Sequence, residues 1–236
     1  MRHELALVIA IVCVSRACAW ASPTGLVQIP TAQTLAPRQV NLSLQNGNTS
    51  VAEQPTLVQE PLPLVQSQSG IVPDIEGGLD VVPSKPPGEY RPEANLKWRI
   101  VDEGEWQPAG AIGAAQLGVG FAQSYYAVLS KTLNYTSIEY QKFRAHHRNI
   151  KLRGFRIHAG IEYDGYAPRA LLGTDLEVSD FLVLSSDWIS GRSYAVSLGG
   201  SIVFDQNISL TVAGLYGNAG TDHDGLFLQY NLTFSW

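Results

Sequence analysis

An all-β chain closed into an antiparallel transmembrane β-barrel of about twelve strands is the fold this sequence predicts, ten or fourteen strands also fitting. Three observations predict it. Only 16% of residues are charged against 45% hydrophobic, where about a quarter charged is usual for a soluble domain. A period-two alternation of apolar and polar residues recurs from Arg38 onward, the pattern of strands with one oily and one wet face. The final residues, 225–236, keep that alternation to a terminal Trp236.

The chain opens with Met1-Arg2-His3, an apolar run from Leu5 to Val14, and Ala19-Trp20-Ala21 before Ser22. A basic end, an apolar centre too short to span a bilayer and an Ala-x-Ala site describe a secretory signal peptide, residues 1–21, cleaved near Ala21. Cleavage removes Arg2, Arg16 and Glu4, leaving 14 basic and 20 acidic side chains. That acidic balance gives no electrostatic hold on nucleic acid. Cys13 and Cys18 leave with the signal, so no disulfide, thiolate or cysteine metal ligand is expected afterwards.

Residues 22–37 are uncharged and rich in Pro, Thr and Ala, an extended lead-in or plug ahead of a barrel over residues 38–236. Within the barrel, Val40, Leu42 and Leu44 alternate with Asn41, Ser43 and Gln45; Ile75, Leu79 and Val81 with Glu76 and Asp80; Leu96, Trp98 and Ile100 with Asn95, Lys97 and Arg99. The same holds for Ile157, Ile161 and Tyr163 against Arg156, His158 and Glu162, then for Val196 and Leu198, and for Ile208, Leu210 and Val212. Turn signals at 72–74, 102–105, 178–180 and 205–207 separate the runs, with longer links at 84–91, 145–151 and 218–224. Short and long links roughly take turns. Residues 106–130 carry no charge, which raises a membrane helix, but Pro108 and four glycines break the run into two strands. Weak candidates at 59–70, 135–143 and 154–163 leave the strand count open around an even number.

At the carboxy end Leu228, Tyr230, Leu232, Phe234 and Trp236 form one face and Gln229, Asn231, Thr233 and Ser235 the other. This resembles the closing strand of bacterial outer-membrane proteins, which barrel-assembly machinery reads, and those apolar residues are the expected assembly signal. A soluble sandwich would leave such an oily edge open to aggregation. In lipid every backbone N–H and C=O must find a partner within the protein, so a membrane sheet closes. Tyr90, Trp106, Tyr125, Tyr135, Tyr163, Tyr166, Trp188 and Tyr216 are candidates for interfacial girdles.

Strand parity turns Lys97, Arg99, Arg156, His158, Glu162, Asp175 and Glu177 into the lumen, together with Asp187. Both signs are present, so ion pairs can close the interior instead of lining it for one class of ion. No catalytic residue is assigned: no Ser lies at strand spacing from a His, and His146, His147 and His223 read as solvated loop residues. Asp222-His223-Asp224 lacks further ligands, so no metal and no cofactor are expected.

The passages Thr24 to Ala32, Gly70 to Asp80, Asn95-Leu96-Lys97-Trp98-Arg99 with Ala111-Ile112-Gly113, and Tyr126 to Lys131 resemble the YjbH-like outer-membrane barrels associated with exopolysaccharide operons. The resemblance implies a place in the bacterial outer membrane and a link to exopolysaccharide export or secretion; with no catalytic site assigned, the barrel reads as non-enzymatic, a narrow pore or an accessory of that export. Its partners would be outer-membrane lipid, the assembly machinery, and polysaccharide or export components. The alternative is a barrel enzyme that modifies lipid or glycolipid.

Overall fold

A computed structural model describes residues 25–47, 64–84, 89–118, 123–133, 154–191, 195–205, 207–218 and 225–235. Its strands are β1 (Gln39–Gly47), β2 (Leu64–Val72), β3 (Ile75–Ser84), β4 (Glu89–Val101), β5 (Ala109–Leu117), β6 (Ser124–Leu133), β7 (Gly154–Tyr163), β8 (Pro168–Ser179), β9 (Leu182–Ile189), β10 (Ala195–Asp205), β11 (Ile208–Gly217) and β12 (Gly225–Ser235). Each pairs antiparallel with its sequence neighbours, and β12 returns to β1 with Leu42 opposite Leu232 and Leu44 opposite Tyr230. The ring is closed and twelve-stranded. Closure leaves no open edge, which a two-sheet sandwich would have kept.

The barrel is inside out relative to a soluble domain. Leu96, Leu129, Ile161, Leu172 and Leu198 on the outer face are exposed, while Glu76, Asp80 and Lys97 on the inner face are completely buried. Period-two strands at barrel curvature force this choice: each strand has one face toward the ring's centre and the other outward. The polar set faces in because there it finds partners.

Within residues 106–130 the strands β5 and β6 pair antiparallel, with no helix among the described residues. The 59–70 candidate contributes β2 from Leu64, and the 154–163 candidate is β7. The 135–143 candidate, like the signal segment, His146, His147, residues 222–224 and Trp236, falls outside the described residues. Link lengths do not simply alternate. The ring end that holds the start of β1 and the end of β12 takes the two-residue turns Pro73-Asp74 and Asp180-Phe181, and also the long 134–153 link. At the opposite end the β7–β8 link, residues 164–167, is tight. Asp164 Oδ1 accepts the N–H groups of Tyr166 and Ala167 at 2.9 and 2.8 Å, and Gly165 takes a φ of 86°, the left-handed region that favours glycine.

Aromatic residues mark both rims. Tyr90, Tyr125, Tyr163, Tyr166, Trp188 and Tyr216 all sit at the end opposite the chain's entrance into β1. Trp106, Phe155, Phe181, Phe204 and Phe234 sit at the other. Tyr135 is outside the described residues.

Candidate functional site

The inner wall is built around residues 25–37, which lie inside the ring. Their local shape is a small turn, with Leu26 N–H donating to Ile29 O at 3.0 Å and a bridge between Gly25 and Pro30. A turn of this kind points consecutive backbone N–H groups in one direction, a nest for an anion. Here the anion is Asp187 on β9. Its Oδ2 accepts from the N–H groups of Val27 (2.9 Å), Gln28 (2.7 Å) and Ile29 (3.4 Å). Its Oδ1 accepts from the Gln28 amide at 3.0 Å and from the Ser197 hydroxyl. A buried carboxylate with no cation beside it among the described residues is tolerated only when donors replace its water, and this one has five.

Two more contacts hold the segment further along. Ala32 N–H donates to Ser130 Oγ on β6 at 2.9 Å, and Leu35 N–H donates to Glu76 Oε2 on β3 at 3.0 Å. Apolar side chains follow the same course. Val27 packs with Ala195, Ala213, Leu215 and Phe227; Ile29 with Leu171 and Ile189; Ala32 with Ala109, Ala111, Tyr126 and Val128. Each buried apolar cluster among the described residues therefore contains one residue of the segment. Glycines leave room for it. A Cβ on Gly173 would stand 2.6 Å from Leu26 Cδ1 and 2.7 Å from Ile29 Cδ1, and one on Gly70 would strike the Ala36 carbonyl. Arg38, at φ 63°, then turns the chain out of the lumen and into β1.

Behind Ser130 lies a relay across β6, β7 and β8. Ser130 and His158 are direct register partners, with Ser130 Oγ 2.7 Å from His158 Nδ1 and His158 Nε2 2.9 Å from Asp175 Oδ2. Arg156 Nε donates to Asp175 Oδ1 at 2.9 Å, and its guanidinium is 3.7 Å from Glu177. Asp175 is held by two donors at once, so it acts as the ionised end of the chain. A proton on His158 Nε2 leaves Nδ1 as acceptor for the Ser130 hydroxyl.

Of the seven lumen candidates, Arg156, His158, Asp175 and Glu177 form this one group. Lys97 is apart from it, fully buried and 3.5 Å from Glu76. Arg99 sits near the ring end, pairing with Asp74 and with Asp102 at 3.1 Å. Glu162 is near the opposite end, bonded by the Ser124 hydroxyl. Ser130 escapes sequence reasoning because its partner is 28 residues away on the neighbouring strand. Register, not spacing, brings the two together; the inward parity of Tyr126, Val128 and Ser130 is the only signal that could have found it.

These features define a class: a closed antiparallel barrel, oily outside and polar inside, whose own N-terminal segment occupies the lumen. In comparisons with known proteins, no family model matches the chain and no curated protein is similar to it.

Proposed function

We propose that the chain is a non-enzymatic bacterial outer-membrane barrel, a narrow, plugged pore or an accessory of exopolysaccharide export. The observation that carries the reading is the capture of residues 27–29 by Asp187 within a ring whose outer face is apolar. An apolar outer band suits hydrocarbon, and a backbone paired all the way round meets the demand that lipid places on it. At about twelve strands a lumen is wide enough to hold a strand of chain and too narrow for a large aqueous channel once filled. The mixed charges of Lys97, Arg99, Arg156, His158, Glu162, Asp175 and Glu177 suit an interior locked by pairs. The YjbH-like resemblance supports the link to exopolysaccharide, and Leu228, Tyr230, Leu232, Phe234 and Trp236 would be what assembly machinery reads.

Planar-bilayer recording tests this. The intact protein is expected to stay closed, and Asp187→Ala, which frees the segment's N–H groups, to open in discrete conducting steps. An Asp187→Ala barrel that stays silent while remaining folded contradicts the plug.

One observation favours a second reading, the lipid- or glycolipid-modifying enzyme: the sequence Ser130, His158, Asp175 has the order of nucleophile, base and orienting carboxylate. Against it, Ser130 is completely buried and its Oγ already takes the Ala32 N–H. An acyl-hydrolase assay on wild type and Ser130→Ala separates the readings, activity that vanishes with the serine favouring the enzyme.

A further inference from the structure

The inner wall divides into two unlike halves. Inward ionisable groups gather on β3, β4, β7 and β8, as with Glu76, Asp80, Glu93, Lys97, Arg156 and Asp175. From β9 through β12 and on to β1 and β2 the inward positions are amides, hydroxyls and small residues, together with the apolar Ile189, Leu215 and Phe227 that pack on the segment. Asp187 is the only buried carboxylate of that arc among the described residues, and the N-terminal segment consumes it. Between segment and arc lies a cavity of about 370 Å³, a size that suits a small ligand. Its only charged lining residues among those described, Arg156 and Asp175, neutralise each other at 2.9 Å.

The neutral wall is organised. Ser43 Oγ donates to Asn231 Oδ1 at 2.6 Å, Asn231 Nδ2 donates to Ser209 Oγ at 3.3 Å, and Ser201 and Thr211 share a hydrogen bond of 2.7 Å. These pairs are cross-strand register partners, so the ladder is held by the sheet. Beside it three buried glutamines have amide atoms with no hydrogen-bond partner among the described residues: Gln45 Oε1, Gln66 Nε2, and both atoms of Gln68. Buried amides are almost always satisfied, so each exception needs an account, such as an ordered water or a bound molecule.

We propose that this cavity binds an uncharged, multiply hydroxylated ligand, a short run of neutral sugar units. The inference rests on the reading of the chain as an outer-membrane barrel with a lumen, and it names what that lumen holds. A sugar hydroxyl both donates and accepts, and so does a carboxamide; the glutamines and asparagines that line the cavity supply both kinds of site. A charged ligand would shed its water here and meet no free countercharge. Sites built to bond hydroxyls reject ligands that lack them, because their own polar groups are then left bare.

The test uses the full chain in detergent micelles, shown to be folded by a change in gel migration on heating. Calorimetric titration with maltotriose, mannotriose and galactotriose as neutral probes, and trigalacturonate as the acidic one, should give saturable binding of at least one neutral trimer. Trigalacturonate is expected to bind about tenfold more weakly or worse, and the double variant Gln66→Ala, Gln68→Ala to weaken the neutral trimer about tenfold. Ser43→Ala, a milder change, should weaken it by a smaller step. Saturation by no neutral trimer, tighter binding of trigalacturonate, or an unchanged affinity in the double variant of a folded barrel overturns the sugar site. Loss of the heat-dependent migration in the wild type overturns the barrel reading beneath it, and the site with it.

Discussion

Asp187 ties the lumen segment to the wall, because it trades water for five donors drawn from two parts of the chain. Removing it leaves several buried donors bare, at about 1–3 kcal/mol each where water cannot follow. Asp187→Ala should lower the temperature at which the unheated gel form converts to the heated one, and should expose residues 25–37 to protease while the strands stay protected. Asp187→Asn, which can still accept through one oxygen, should fall between. At this scale the sequence was legible by half. Parity turns Lys97, Arg156, His158 and Asp175 inward and the structure seats them there, but their partners were hidden. Asp187 meets Val27 across 160 residues, and the segment binds through backbone N–H groups, which every residue except proline carries and which leave no trace in composition. Nothing in Thr31-Ala32-Gln33 could announce that Ala32 donates to Ser130.

Elements were easier to read than contacts, since alternation survives wherever a strand has unlike sides. The hairpin in 106–130 is legible from its breakers, whereas the 134–153 link is not, because loop length is set by what the loop does and not by the ring it joins. Two predictions belong here. Gly173 on β8 leaves the space that Leu26 and Ile29 fill; Gly173→Leu would overpack the lumen, a cost of about 1–3 kcal/mol, or expel the segment. Single-channel recording of a folded Gly173→Leu protein should therefore show openings that the wild type lacks. The second concerns the 102–108 link. Burial alone would raise the Glu103 carboxyl, but the Thr132 N–H, the Lys131 ammonium and the Thr132 hydroxyl outweigh it and hold it below its ordinary value of 4.5. A carboxyl depressed in the folded state stabilises above its unfolded value and loses that contribution as pH falls through the lowered one. The protection of the Thr132 amide, its exchange rate relative to that of an unstructured peptide at the same pH, should accordingly fall below about pH 4.5 in the wild type, and Glu103→Gln should abolish that pH step.

The whole molecule follows from one asymmetry: most strand leucines and isoleucines look outward while Lys97, Glu76 and Asp80 are buried. Water punishes that arrangement and hydrocarbon rewards it. Tyrosines with Trp188 at one rim and phenylalanines with Trp106 at the other give the ring two aromatic belts, the arrangement that suits a bilayer's two interfaces. The last strand closes the circle against β1, so chains lacking residues 225–236 should fail to assemble and leave one edge of β1 and one edge of β11 without a partner strand. The class of fold was readable because closure is written in repetition, twelve times over; the contents of the lumen were not, since a plug is a tertiary fact with no period of its own. The most direct trial of the account is gel migration of the chain purified without its first 21 residues, before and after boiling in detergent. A compact, faster band that slows on boiling, from protein that needs detergent to stay in solution, is what a closed ring with an oily exterior predicts. One unchanged band, from protein monomeric in plain buffer, would contradict it.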